Sequence, residues 1–183
     1  LPILYIVFNV KNKKEAESRF PSNVVVKTIN GLGHGAWGSA LGKRLTLDDR
    51  KLGKLVTQVT KERGFPATTD QWSSIRELVT KAMQAGLVPD TFPQRGLVQD
   101  IPEVWNDFAD AVGVFEQTEV LCSLAREVLT ESIKLSFAGT ISFDDQIYMS
   151  VLFHGVFPRF TLVMVDEAQD QSILNIKMIQ RCA

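Results

Sequence analysis

Hydrophobic positions follow two different patterns along the chain. Near both ends, short apolar runs at residues 3–8, 24–27 and 160–165 predict buried strands. A charged segment at residues 11–20 separates the first two runs and stops before Pro21, which predicts a short helix. Because a strand–helix–strand order implies a right-handed crossover, these runs predict a parallel sheet.

The middle of the chain has a helical period and few recognisable strands. Helices are predicted over residues 48–63, 70–85, 101–113 and 116–136, and a further helix over residues 143–153. Five glycines between Gly31 and Gly42 suggest a loop, which contains His34, and a helix that passes close to other backbone. We therefore predict an α/β protein. Residues 1–45 and 135–183 would form one domain, and residues 46–134 a mainly α-helical insertion.

Polar residues follow the last apolar run, in the order Leu-Val-Met-Val-Asp-Glu-Ala-Gln-Asp at residues 162–170. Carboxylates at the carboxyl end of a parallel strand lie where open α/β sheets bind ligands. In a nucleotide-hydrolysing site, Asp166 would hold Mg²⁺, Glu167 would polarise the attacking water and Gln169 could sense the γ-phosphate. The alternative is a strand followed by a helix whose first turn is acidic, which the helix dipole favours.

The Asp-Glu-Ala-Gln-Asp string resembles motif II, the Walker B element, of the UvrD/Rep-type superfamily 1 DNA helicases. Residues 4–9 with 13–16 resemble motif Ia, residues 28–33 resemble motif Ib, and residues 142–147 resemble the helix before motif II. The resemblance implies an incomplete RecA-like P-loop NTPase domain with its helical insertion. It implies ATP and Mg²⁺ as cofactors, with Asp166 on the metal and Asp166, Glu167 and Gln169 at the nucleotide. Single-stranded DNA and the remaining helicase domains of a longer parent chain would be the partners.

Four residues at predicted strand ends are the candidates for contact with single-stranded DNA. Phe8 and Asn9 end the first strand, and Thr28 and Asn30 end the second. The resemblance places them against DNA, where a ring can stack on bases and polar groups can contact phosphate or a base. The residues alone leave other roles open: Phe8 as a core residue, and Thr28 and Asn30 as helix caps. Asn30-Gly31 also departs from the His-Ser of the family motif.

No phosphate-binding sequence G-x-x-x-x-G-K-[ST] occurs in the chain. Residues 33–40 have two glycines at the required separation, but Ser39 stands in the lysine position. We therefore interpret the chain as an internal fragment of a helicase. The alternative is a nucleic-acid-binding module without ATPase activity. Residues 31–36 also fit the dinucleotide pattern G-x-G-x-x-A, but no strand is predicted before Asp48, where the acidic partner would lie.

Composition and charge narrow these possibilities. Hydrophobic residues make up 45% of the chain and charged residues 22%, which excludes a disordered segment. No apolar stretch approaches the roughly 18 residues of a membrane span, and Cys122 and Cys182 lack the spacing of a zinc site. We expect a cytoplasmic protein. Residues 1–63 carry 12 lysines and arginines against 5 acids, whereas residues 64–183 carry 8 against 16. The basic part predicts a surface for phosphate backbones, or alternatively a solvated lysine-rich face.

Overall fold

The structure, a computed structural model, describes residues 1–183 and contains five strands and eight helices. In chain order these elements are β1 (Ile3–Val7), α1 (Val10–Arg19), β2 (Val24–Thr28), α2 (Ile29–Leu41), β3 (Thr46–Leu47), α3 (Lys51–Glu62), α4 (Thr69–Ala85), α5 (Pro102–Val112), α6 (Thr118–Phe137), β4 (Thr140–Ile141), α7 (Asp145–Leu152), β5 (Leu162–Val165) and α8 (Ile173–Cys182). The predicted α/β class is confirmed.

The chain divides into two compact units. Leu1–Leu45 together with Phe143–Ala183 form one, here called the sheet unit, and Thr46–Ser142 form the other, here called the helical unit. The predicted domain boundary between residues 134 and 135 falls inside α6, which continues without a break to Phe137. The boundary therefore moves to residues 142 and 143.

A three-stranded parallel sheet forms the centre of the sheet unit. Its strand order is β2-β1-β5, so β1 has a hydrogen-bonded neighbour on each side. Ile3 lies opposite Val24 on one side and Leu162 on the other, and the register continues toward the carboxyl ends of the strands. The parallel sheet predicted from the strand–helix–strand order is thus present.

Side chains of β1 alternate between the two faces of this sheet. On one face Val7 packs in a buried cluster with Ala16 of α1 and Val26 of β2. Tyr5 lies beside this cluster, with its ring centroid 4.8 Å from that of Phe20. Leu4 and Ile6 point to the opposite face and are fully buried. Both faces of the central strand are therefore covered.

β5 is less buried than its apolar sequence predicted. Leu162 is 49% exposed, and the remaining three residues of the strand are only partly buried. The reason is position in the sheet: β5 is an edge strand, which pairs with β1 on one side only. The prediction of a strand here is confirmed, whereas the prediction of a fully buried strand is wrong.

The glycine-rich segment is helical rather than a loop. α2 begins directly after β2, and it ends at Gly42, whose φ of 65° is the left-handed conformation that glycine adopts readily. His34 therefore lies on α2, where its Nδ1 is 3.0 Å from the side-chain nitrogen of Gln146 in α7. A Cβ on Gly33 would lie 2.1 Å from the backbone oxygen of Gln146. The predicted close approach of backbones is real, and it joins α2 to α7.

Four amphipathic helices, α3 to α6, form the core of the helical unit. Their buried apolar residues include Val56, Val59, Leu78, Val79, Phe108, Ala125, Val128 and Leu129. The carboxylate of Asp100 connects several segments of this unit. It accepts hydrogen bonds from the indole of Trp105, the guanidinium of Arg126 and the backbone N–H of Asp90. Lys51 is also buried, and its ammonium donates to the Ser132 carbonyl and the Ser136 hydroxyl, both at 2.8 Å.

Two short strands in the helical unit were not predicted from the sequence. Thr46 and Leu47 of β3 pair in parallel with Thr140 and Ile141 of β4. A strand therefore does precede Asp48, as the dinucleotide pattern requires. However, β3 pairs with β4 and not with the sheet that contains β2, and the glycines of that pattern lie inside α2. The topology thus gives no support to a dinucleotide site.

Both cysteines are buried as free thiols, Cys182 in the sheet unit and Cys122 in the helical unit. Burial raises the pKa of each thiol above its ordinary value, because the thiolate loses its hydration. Both are therefore less reactive than exposed thiols, and no disulfide contributes to stability.

Gly33→Ala should destabilise the sheet unit. The new methyl group would meet the backbone of Gln146, and overpacking of this kind costs about 1–3 kcal/mol or more. Gly35→Ala is the matched control on the same helix, since nothing lies within 4 Å of its added Cβ. That change should instead stabilise by about 0.5–1 kcal/mol. Urea unfolding of both variants measures the difference, and equal stabilities would show that α2 does not contact α7 this closely.

Candidate functional site

The carboxyl ends of the three parallel strands meet at one edge of the sheet. Val7 at the end of β1 lies opposite Thr28, and Ile6 lies opposite Val165. The backbone N–H of Asp166 donates to the Ile6 carbonyl at 2.9 Å, so the pairing extends past the end of β5. The residues that follow each strand, including Phe8 and Asp166, therefore emerge at this edge.

The segment after β5 is a tight turn and not the start of a helix. Glu167 has φ 52° and ψ 46°, and Ala168–Asp170 form a single 3-10 turn. The next helix, α8, begins later with Ser172 as its N-cap, and its first turn contains no acidic residue. The alternative of an acidic first turn therefore holds for this short 3-10 helix, which contains Asp170, and not for α8. A left-handed conformation at a non-glycine residue costs on the order of 1–3 kcal/mol and is concentrated at functional sites.

Glu167 and Gln169 are in direct contact in this turn. The Gln169 side-chain amide donates a hydrogen bond to the Glu167 carboxylate. The amide of Gln171 donates to the Glu167 backbone carbonyl at 3.3 Å. The two residues that the motif assigns to nucleotide hydrolysis thus touch each other, and both are exposed to solvent.

Asp166 is the first carboxylate after β5 at this edge. Its side chain is partly buried, and the amides of Gln169 and Gln171 bond to Glu167 instead. Mg²⁺ is usually held by one or two carboxylates together with substrate phosphates and water. Asp166 fits that kind of site. No group of three or more His, Cys, Asp or Glu side chains forms a complete metal cage.

Phe8 is exposed at the sheet edge, where its side chain is 55% accessible. It follows the last residue of β1, so its ring is not held in the core beneath the sheet. The interpretation of Phe8 as a core residue is wrong. An exposed aromatic ring at this position is available for stacking on a base.

Two of the predicted DNA-contacting residues are helix caps. Asn9 Oδ1 accepts the backbone N–H of Asn12 at 2.8 Å and caps α1. Thr28 Oγ1 accepts the N–H of Gly31 at 3.0 Å and caps α2. Asn30 is the second residue of α2 and is not a cap. The capping role expected for Thr28 as an alternative is present, and the one expected for Asn30 is not.

Capping leaves the donors of these side chains available. The Asn9 cap uses only the amide oxygen, and the Thr28 cap uses only a lone pair of the hydroxyl oxygen. The Asn9 NH₂ group and the Thr28 O–H remain as donors to an anion. Two helix N-termini also open at this edge, and helix N-termini attract phosphate groups. The edge therefore presents donors rather than acceptors outside the turn at residues 166–170, which is here called the motif II turn after its sequence resemblance.

Lys11 is a candidate that the sequence analysis did not single out. It lies in the first turn of α1, one residue beyond Val10, and it is exposed. The N-terminus is the positive end of the helix dipole, so a cation there does not stabilise the helix. Together with the dipole, however, it can stabilise a bound anion. The signal in the sequence was a basic residue four positions after the end of a strand at Val7, in a helix whose first turn lacks an acid.

The basic first third of the chain is divided between the two units. Of its 12 cations, residues 1–45 hold seven and residues 46–63 hold five. In α1, Lys13 pairs with Glu17 and Arg19 pairs with Glu15. The cations of the predicted basic surface therefore belong to both units.

Comparison of this chain with known protein families, curated proteins and solved structures finds no match. None of the eight helices is both long and apolar enough to cross a lipid bilayer. The assignment of function therefore depends on the motif II turn and on the geometry of the sheet edge.

Phe8→Ala should weaken binding of single-stranded DNA without unfolding the protein. Loss of a stacking ring costs about 1–3 kcal/mol of binding free energy, whereas an exposed side chain contributes little to the stability of the fold. Phe115→Ala is the control, since Phe115 is 77% exposed in the helical unit. Titration of a fluorescent oligonucleotide and a thermal melt of both variants test this. Equal DNA affinity of the two variants would remove Phe8 from the site.

Proposed function

We propose that this chain is part of an ATP-dependent DNA helicase that couples ATP hydrolysis to movement along single-stranded DNA. One observation carries the proposal. The Asp-Glu-Ala-Gln-Asp turn and the exposed Phe8 end neighbouring parallel strands at the same sheet edge. A nucleotide-hydrolysing motif and a nucleic-acid contact on adjacent strands are the arrangement that a translocating motor requires.

Asp166, Glu167 and Gln169 have distinct roles in this proposal. Mg²⁺ on Asp166 would neutralise charge on the phosphates of ATP. Glu167 would orient the attacking water and accept its proton. Gln169, which donates to Glu167, would position that carboxylate and exchange this hydrogen bond for one to the terminal phosphate. The Glu167–Gln169 contact would then change with the nucleotide and report the state of the ATP site.

The short distance between the turn and the DNA contacts supports coupling. Adjacent strands lie about 4.8 Å apart, and the Asp166 N–H bonds to the carbonyl of Ile6, two residues before Phe8. A rearrangement of the turn would therefore pull directly on the end of β1. No chain of intervening residues is needed to connect ATP hydrolysis with DNA contact.

The lateral side of β5, which has no neighbouring strand, supports the presence of further domains in the parent protein. Leu162 is 49% exposed, and the outer side of β5 has no partner strand. An exposed apolar edge strand is prone to aggregation unless another element covers it. Additional strands of the same parent chain would pair with the lateral side of β5 and complete the nucleotide site.

The 183-residue chain on its own should show no ATP turnover. It contains the carboxylates of motif II but no phosphate-binding sequence, because residues 33–40 are helical and lack the required lysine. ATP hydrolysis is measured with and without single-stranded DNA. DNA-stimulated turnover on the order of 1–100 per second would contradict the interpretation of this chain as part of a larger motor.

Glu167→Gln in the full-length parent should abolish ATP hydrolysis and leave ATP binding largely intact. The change keeps the size of the side chain and removes the negative charge that orients water. Asp170→Asn is the matched control, because it removes one charge from the same exposed turn. Unwinding at the normal rate by the Glu167 variant would contradict the motif II assignment. A parent that binds DNA but neither binds nor hydrolyses ATP would support the alternative of a nucleic-acid-binding module.

A further inference from the structure

A groove of about 690 Å³ runs along α3 and α4 of the helical unit. Its walls carry four cations, Arg50, Lys54, Lys61 and Arg76, and a single carboxylate, Asp49. We propose that this groove binds the phosphate backbone of nucleic acid. It would be a second contact, on a different unit from the strand ends described above. The choice of nucleic acid among polyanions rests on the proposed function.

The cations of α3 form a row of the right length for several phosphates. Arg50 precedes the helix, and Lys54 and Lys61 follow it by 4 and 11 positions. At 3.6 residues per turn all three lie on one face, and at about 1.5 Å per residue they extend over roughly 16 Å. Arg76 from α4 lines the opposite wall. A row of this length exceeds a single phosphate and suits a chain of them.

Most of these charges have no partner within the protein. Lys54 pairs with Asp48 at 2.8 Å. This pairing lowers the pKa of the Asp48 carboxyl most, and the hydrogen bond that Asp48 accepts from the Arg50 backbone N–H lowers it further. Arg50, Lys61 and Arg76 form no ion pair. Elsewhere in the same unit, Arg63, Arg126 and Lys134 are paired with Glu127, Asp100 and Glu131 respectively, whereas the exposed Lys81 and Arg95 form no ion pair. The groove therefore gathers three cations without an ion pair along one surface.

Trp72 gives the groove a fixed aromatic wall. Its indole N–H donates to the Thr57 hydroxyl at 3.0 Å, which links α4 to α3 and holds the ring in one orientation. The ring lies over Gly53, where an added Cβ would come within 3.2 Å of a ring carbon. A glycine inside a helix costs about 1 kcal/mol of stability relative to alanine. Glycine is present at position 53 because a larger residue would crowd the Trp72 ring. A partly exposed, immobilised indole beside cations can stack on a base while the cations hold phosphates.

The test is a charge-removing double variant, Lys61→Gln with Arg76→Gln, which takes one cation from each wall. The control is Lys81→Gln with Arg95→Gln, which removes the same charge from exposed positions of the helical unit outside the groove. Binding of the 183-residue chain to labelled single-stranded and duplex oligonucleotides of equal length is measured by fluorescence anisotropy at several salt concentrations. Thermal melts of both variants confirm that they remain folded.

The groove variant should lose affinity roughly tenfold or more at low salt, because each phosphate contact releases counterions. The slope of log affinity against log salt should fall by about one for each lost cation, and the control should match the unchanged protein. If only one of the two oligonucleotides shows this loss, it identifies whether the groove binds single-stranded or duplex nucleic acid. Equal losses in the groove and control variants, or no loss in either, overturn the proposal.

The Phe8→Ala variant separates this proposal from the sheet-edge site. Loss of affinity in the groove variant alone supports the groove and argues against DNA contact at the sheet edge. Loss in the Phe8 variant alone overturns the groove and leaves the proposed function standing. Losses in both, additive when the changes are combined, support two separate contacts.

Discussion

Hydrogen bonding of β1 to a parallel neighbour on each side is the constraint on which the sheet unit depends. β2 and β5 are far apart in sequence, and β1 alone brings them into one sheet. Because the strands are parallel, their carboxyl ends are held at one edge, together with whatever follows each of them. Phe8, Thr28 and the turn from Asp166 onward are therefore gathered by backbone pairing rather than by contacts among their own side chains. This arrangement is the physical basis for assigning them to one site.

Side-chain caps stabilise the two helix starts at the same edge. Asn9 and Thr28 cap their helices with oxygen atoms and keep their hydrogen-bond donors free. A cap of this kind contributes about 1 kcal/mol to the fold, so substitution of either residue would change stability as well as the proposed contact with nucleic acid. Phe8 has no structural role of comparable size, which makes it the cleaner probe of nucleic-acid contact. On the helical unit, Lys61 and Arg76 are equally clean probes for the same reason.

The sequence predicts the strands and helices well where an apolar pattern is long enough to have a period. It also places Asp166 and the residues after it correctly at a strand end, because an apolar run that stops abruptly at Asp166 is typical of a strand in a parallel sheet. The two-residue strands β3 and β4 escaped because two positions cannot show a period. The half-exposure of Leu162 depends on which strands flank β5, and the capping by Asn9 depends on backbone angles. The groove could not be predicted from the sequence, because Arg76 lies on a different helix from Lys54 and Lys61.

The central claim is that the carboxyl edge of the β2-β1-β5 sheet binds single-stranded DNA beside the motif II turn. NMR chemical-shift mapping tests it most directly, with ¹⁵N-labelled protein titrated with a thymidine oligonucleotide at low salt. The largest amide shifts in the sheet unit should occur at residues 8–12, 28–31 and 166–169. Shifts confined to the opposite edge of the sheet, near Ile3, Val24 and Leu162, or no shifts in this unit at all, would contradict it.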